Sequence, residues 1–243
     1  MKRLLAGPRG VEEALRADPK RVVVVYGSAE RLRELDALLR AAQVRAELRS
    51  GTELDALARG LKHQGVLAIT GDYAYADLEA VLAASRAAPL LVALDQISDP
   101  HNFGAIVRSS VAFAADAVVT LKDRAAPVTP VVVRASAGAT ERARIARVTN
   151  LARTLDGLRE RGMQVLGLAG DAEATLDSVP YDAAGRVLVI GSEGDGLRRL
   201  TRQHCDALVR IEMPGGFESL NASVATGIAL YESARARARA LFA

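Results

Sequence analysis

Glu218, Ser219 and Asn221 stand close together, directly ahead of a segment with helical periodicity. Leu208 to Ile211 alternates like a short strand. Pro214-Gly215-Gly216 then interrupts any regular element, because proline fixes φ and the glycines permit φ > 0. Val224, Ile228 and Tyr231 recur at spacings of four and three, one face of a helix that Ser219 or Asn221 can cap. Polar side chains so placed share a helix N-terminus with bare N–H groups and the positive end of the helix dipole. Such a cluster can bind a polar ligand, and a well-capped terminal helix reads the same way. A second stretch pairs the apolar run Val187 to Ile190 with Gly191-Ser192-Glu193-Gly194-Asp195-Gly196. A glycine loop after a buried strand is where a ligand often sits in an α/β sheet. Its glycine order does not fit G-x-G-x-x-G, and no lysine-serine pair follows, which excludes a dinucleotide or P-loop reading. A third stretch begins with the apolar run Leu90 to Leu94. The segment Asp95 to Gly104 follows, with a helical pattern carrying Arg108. Asp99 before Pro100 suits a helix cap and first helical position.

The elements that must position these loops alternate along the chain. Strands are expected at Leu90–Leu94, Ala117–Thr120, Gln164–Leu168, Val187–Ile190 and Leu208–Ile211. Helices are expected at Asn102–Ala115, Pro130–Gly138, Leu151–Arg161, Leu197–Gln203 and Asn221–Ala240. Continuous apolar strands separated by helices imply α/β architecture, a parallel sheet covered on both faces. Ahead of it, residues 1–70 form a compact α/β unit of their own. Its helices are expected at Val11–Ala17, Ala29–Ala41 and Leu54–Leu61, and its strands at Val22–Tyr26, Val44–Leu48 and Val66–Ile69. A helical pattern from Tyr75 to Ala84 and the run Ser85-Arg86-Ala87-Ala88-Pro89 mark a junction.

Three motifs in order resemble the SpoU (TrmH) family of the SPOUT superfamily. These are Asp99-Pro100-His101-Asn102-Phe103-Gly104 with Arg108; Ile190-Gly191-Ser192-Glu193-Gly194 with Gly196-Leu197; and Ile211-Glu212-Met213-Pro214-Gly215 with Ser219-Leu220-Asn221-Ala222-Ser223-Val224-Ala225. The resemblance covers roughly residues 88–235. The segments Arg147 to Arg153 and Leu200 to Asp206 are similar to the branch that methylates guanosine in bacterial 23S rRNA. Leu61-Lys62-His63-Gln64-Gly65-Val66 matches that branch as well. The resemblance implies an S-adenosylmethionine-dependent ribose 2′-O-methyltransferase acting on RNA, 23S rRNA in the first instance. It also implies a ribosomal-protein-L30e-like RNA-binding domain over 1–72, a linker over 73–89, and over 90–243 a catalytic domain with a deep trefoil knot. A homodimer formed through the knotted domains, with composite sites, is a further implication. The alternatives are a tRNA ribose methyltransferase, or a non-catalytic RNA-binding protein on the same fold.

Under that resemblance Arg108 is the catalytic candidate. A guanidinium stays protonated, so it serves as a clamp for the adjacent phosphate and a developing alkoxide rather than as a base. Asn102 would orient Arg108 and the ribose. Glu193 would accept hydrogen bonds or a charge from basic side chains, and Ser219 and Asn221 would fix their loop and contact RNA. Gly191, Ile211, Leu220 and Ala169 would hold the cofactor, the glycine by letting the strand end approach it closely. Taken singly, Gly191, Ile211 and Leu220 also fit ordinary core or turn.

Composition narrows the classes. The 243 residues are 50% hydrophobic, enough for a substantial core, and carry a net charge of +3, which permits an RNA partner without requiring one. Arg142, Arg144, Arg147 and Arg153 face only Glu141 in the sequence, a phosphate-contacting edge or a solvated helix face. The single cysteine, Cys205, excludes an internal disulfide and a cysteine-rich metal site, and reads as a small buried apolar group. No apolar run approaches a membrane span, so a cytoplasmic protein is expected.

Overall fold

The computed structural model describes residues 2–85 and 87–242, the side chain of Phe242 excepted. The chain divides into two compact units. One comprises the chain up to Ala74 together with Pro127–Arg142. The other comprises Tyr75–Ala126 and the chain from Ala143 onward.

The first unit contains β1 (Arg3–Ala6), α1 (Pro8–Ala17), β2 (Val22–Gly27), α2 (Ala29–Glu34), α3 (Asp36–Ala42), β3 (Ala46–Leu48), α4 (Gly51–Ala58) and β4 (Val66–Thr70). Its sheet runs β1-β4-β2-β3, with β4 antiparallel to both neighbours and β2 parallel to β3. The amphipathic stretch expected as one helix from Ala29 is two helices meeting at Leu35. Leu35 and Leu39 are buried and Leu32 and Leu38 half-buried. Strand β1 was not expected: its four residues are too few to show alternation, and its pairing partner is distant in sequence. His63 is a loop histidine. Its Nδ1 accepts the Gly65 amide at 3.0 Å, and its Nε2 lies 2.9 Å from Asp55.

The Pro130–Ala135 helix and the turn after it pack within this first unit rather than with the sequence on either side. Val132 and Val133 are buried. A Cβ on Gly138, which has φ +85°, would lie 2.9 Å from the Arg9 carbonyl and 3.1 Å from the Gly10 Cα. Only glycine permits this backbone-to-backbone seating on the first turn of α1.

The second unit holds α5 (Leu78–Ala84), β5 (Leu90–Leu94), α6 (Pro100–Ala112), β6 (Ala117–Leu121), β7 (Ile145–Val148), α8 (Leu151–Glu160) and β8 (Gln164–Leu168). It continues with β9 (Ala174–Thr175), β10 (Arg186–Ile190), α9 (Arg199–Gln203), β11 (Ala207–Arg210) and α10 (Ala222–Phe242); the Pro130–Ala135 helix is numbered α7. Among the described residues its sheet has seven strands, ordered β7-β6-β5-β10-β8-β11-β9, with every pairing parallel. Strands β5, β6 and β10 are buried along their whole length, the pattern of a sheet covered on both faces. The fully buried Arg186 ties α10 to this sheet. It donates to Gln164 Oε1 at 2.9 Å, to the carbonyls of Val179 and Pro180, and to Ser233 Oγ at 3.3 Å. No described helix is long and apolar enough to cross a membrane.

Candidate active site

Strands β5, β8, β10 and β11 run in one direction, so the loops leaving Leu94, Leu168, Ile190 and Arg210 all emerge past the carboxyl ends of the sheet. Two arrangements form there.

The first is a cleft at the ends of β8 and β11. Leu168, Ala169, Val209, Ile211, Met213 and Leu220 give it apolar walls, with Gly170, Glu218 and Ser219 on its rim. Ala169, Ile211 and Leu220, expected at the cofactor, and Ser219, expected to contact RNA, thus come together here. Gly170 and Met213 join them, as does Glu218 of the polar cluster. A Cβ on Gly170 would lie 3.2 Å from the Glu218 carbonyl, so this glycine sets how closely the 214–220 loop approaches β8. Among the described residues the Ile211 and Leu220 amides donate no hydrogen bond, which leaves backbone donors at the apolar wall.

The second is a polar node joining α6, the β10 loop and the start of α10. Asp99 caps α6, accepting the Asn102 amide at 2.8 Å, and this holds Asn102 in the first turn, nearly buried. Asn102 Nδ2 donates to Glu193 Oε2 at 2.9 Å, while its Oδ1 accepts Asn221 Nδ2 at 2.9 Å. Asn221 Nδ2 also reaches Glu193 Oε1 at 3.4 Å. Of the two candidate caps for α10, Asn221 is the one used: its Oδ1 accepts the Ser223 amide at 2.9 Å and the Ser223 hydroxyl at 2.6 Å. The β10 loop is pinned by a pair absent from the sequence reading. Arg198 donates through Nε to Asp95 Oδ1 at 2.7 Å and through its amide to Oδ2 at 3.1 Å, and the Asp95 side chain has no exposed surface.

Two expected placements are not seen among the described residues of the single chain. Gly191 does not line the cleft. A Cβ there would lie 2.1 Å from the Gly196 carbonyl carbon and 2.4 Å from the Leu197 amide, so the space is filled by the loop's own backbone. Asn102 does not orient Arg108: the six-residue offset carries the arginine about 240° around the helix. Arg108 is exposed and has no partner among the described residues. Glu193 accepts hydrogen bonds from two asparagines, and among the described residues no arginine pairs with it. The basic run is split between the units. Arg142 lies 3.8 Å from Glu13 in the first, whereas Arg147 stacks over Tyr75 at 4.8 Å in the second. Cys205 is partly buried, its thiol donating to the Thr201 carbonyl at 3.3 Å, and this burial pushes the thiol up to about 12.

A parallel sheet with a ligand cleft and a hydrogen-bonded polar node past its strand ends, in a chain that also carries a second small α/β unit, defines an α/β enzyme with an appended recognition domain. Residues 89–231 match the SpoU rRNA Methylase family, and residues 4–76 match the RNA 2′-O ribose methyltransferase substrate binding family. The chain is 44% identical over 227 residues to the 23S rRNA (guanosine-2′-O-)-methyltransferase RlmB of Xanthomonas campestris, covering 91% of this chain and 90% of that protein. It is 43% identical over 239 residues to the RlmB of Coxiella burnetii, covering 95% and 94%. The crystal structure of the SpoU methyltransferase AviRb from Streptomyces viridochromogenes, in complex with the cofactor AdoMet, superposes with a TM-score of 0.80. It is 26% identical and covers 98% of this chain and 91% of that one. The chain belongs to the SpoU rRNA methylase family of RNA 2′-O-methyltransferases.

Proposed function

We propose that this enzyme transfers the methyl group of S-adenosylmethionine to the ribose 2′-hydroxyl of a guanosine in 23S rRNA. The observation that carries the reading is the placement of the cleft and the Asn102–Glu193–Asn221 node past the carboxyl ends of one sheet. The cleft suits the cofactor: apolar faces at Ile211 and Leu220 fit an adenine ring, and the free amides of those residues fit its edge. Bound there, the cofactor supplies a sulfonium-activated methyl group for in-line displacement. The chain's own residues must bring the ribose hydroxyl into line and ease loss of its proton. The node offers fixed amide and carboxylate groups for the first task. Arg108 offers a permanent cation for the phosphate beside the ribose and for the developing alkoxide.

We further propose that the site is completed by a second copy of the chain, in a homodimer of knotted domains. Val224, Ile228 and Tyr231 form an exposed stripe on α10, and Arg108 stands on α6 without a partner among the described residues. The insertion of β10 between β5 and β8, with α10 returning against α6, supports the knot. The cytoplasm, where ribosomes are assembled, is the proposed place of action.

Deletion of the gene followed by mapping of ribose methylation should show one guanosine of 23S rRNA left unmodified; loss confined to tRNA would replace the reading with the tRNA alternative. Purified protein given labelled S-adenosylmethionine should methylate unmodified 23S rRNA. Arg108→Ala should abolish transfer while cofactor binding persists, and near-native turnover would remove Arg108 from the mechanism. Co-expression of Arg108→Ala with a cleft-blocked Ala169→Trp chain should restore activity if two chains share a site.

A further inference from the structure

The first unit contains a cleft of about 390 Å³ between the first turn of α1, the Lys62–Gln64 loop and α7. Its charged lining residues are Arg9, Lys62 and Arg134, and no acidic residue borders it. All three cations are exposed and unpaired among the described residues. Elsewhere in the unit Arg16, Arg40 and Arg45 are engaged by Glu12, Asp36 and Glu47. The backbone adds donors. Gly7, at φ +95°, turns the chain from β1 into α1, no side chain caps that helix, and Pro8 at its first position has no N–H. The Arg9 and Gly10 amides are therefore left free at the positive end of the helix. Arg134 reaches the cleft because Gly138 seats its segment on α1, backbone against backbone. That segment lies between β6 and β7 in the sequence, so the catalytic half of the chain supplies one of the three cations.

We propose that this cleft binds a phosphodiester of the RNA substrate, with Arg9, Lys62 and Arg134 as phosphate contacts and the α1 amides as further donors. The inference rests on the reading of the protein as an RNA methyltransferase and deepens it: it assigns the recognition surface and makes residues 127–142 part of it. Phosphate contacts of this kind carry affinity and its salt dependence without reading base identity.

The test uses the full chain, in vitro transcribed 23S rRNA and labelled S-adenosylmethionine. The triple variant Arg9→Ala, Lys62→Ala, Arg134→Ala should bind the rRNA at least about tenfold more weakly. Its plot of log affinity against log salt should be shallower by about 2 to 3, near one per lost contact. The loss should appear in KM for RNA rather than in kcat, with cofactor affinity and the melting transition as in the parent. The matched variant Arg16→Ala, Arg40→Ala, Arg45→Ala removes the same charge from paired sites and should change the slope by less than 1. Lys62 should be shielded from amine acetylation by the rRNA and not by inorganic phosphate at matched ionic strength. An unchanged slope in the first variant, an equal fall in the second, or shielding by phosphate alone overturns the proposal. Failure of the parent protein to methylate 23S rRNA at all would instead refute the activity on which it rests.

Discussion

Asn102→Asp is the sharpest probe of the node because it keeps shape and inverts one interaction. The Asn102 Nδ2 that donates to Glu193 Oε2 at 2.9 Å becomes a carboxylate oxygen at the same place. A hydrogen bond to a charged group, worth about 1.5–3 kcal/mol, is lost. Two carboxylates then oppose each other. At an effective dielectric of about 20 and a separation of ~4 Å the repulsion would be about 4 kcal/mol. Glu193 is exposed, and solvent screening brings this nearer to ~1 kcal/mol. The sum, about 3 kcal/mol, corresponds to a loss in kcat/KM of roughly 100-fold if the node acts on the transition state. The assay is methyl transfer from labelled S-adenosylmethionine to 23S rRNA, with cofactor affinity measured separately and expected within a few-fold of the parent. Adding Glu193→Gln should recover most of the loss, since the new amide can donate to Asp at position 102. Coupling in the double-mutant cycle should exceed about 1.5 kcal/mol. Mutual repulsion raises the carboxyl pKa of the single variant, so its activity relative to the parent should improve as pH falls and one carboxyl regains a proton. A single variant within a few-fold of native turnover, or one that Glu193→Gln does not rescue, would refute a catalytic role for the node.

Gly191→Ala forces a Cβ to 2.1–2.4 Å from the Gly196 and Leu197 backbone. It should cost more than ~2 kcal/mol and lower the melting temperature by about 5 °C without any ligand; an unchanged melting temperature with weakened cofactor binding would show that the glycine serves cofactor contact rather than loop packing. Burial raises Cys205 from 9.0, and Tyr181 from 10.0, to about 12 each. Both groups are bound as neutral forms in the fold and ionise first in the unfolded chain, so stability is full below pH 9 and declines between about pH 9 and 12. Denaturant titration across that range should show a fall of several kcal/mol, at most ~7 for about five pKa units at about 1.36 each, and a flat profile would contradict it. Deleting residues 1–74 strips the buried faces of Val132 and Val133 of their partners within the first unit. The shortened chain should aggregate, and Val132→Ser with Val133→Ser should restore a soluble species by size-exclusion chromatography; a monodisperse, stable unmodified fragment would refute this.

Much of the second unit was legible because burial leaves continuous apolar runs, and Leu90–Leu94 and Gln164–Leu168 have the expected bounds. Strands β7 and β9 were not, being a four-residue strand that includes Arg147 and a two-residue edge. Caps were legible where a local rule decides them, as at Asp99-Pro100. Unit membership was not. The Pro130 helix is evident from its own residues, but its seat depends on Gly138 meeting Gly10, a contact across some 130 positions with no local signature. The glycine at 191 was read as letting the strand end approach a cofactor, and only the folded loop reveals that the Gly196 backbone occupies the space a Cβ would need.

Asn221 shows why residue types at a site under-determine their roles. Its Oδ1 caps α10 while its Nδ2 reaches Asn102 and Glu193, so one amide serves both helix stability and the node. Substitution at Asn221 must therefore lower stability and transfer together, by about 1 kcal/mol for the cap alone. The side chain of Asn102 caps nothing: it is held by a backbone bond to Asp99 and spends both polar ends on the node. A change in transfer without a change in folding is thus obtainable at position 102 and not at 221, and this asymmetry, invisible in the two asparagines as letters, follows from which element each one begins.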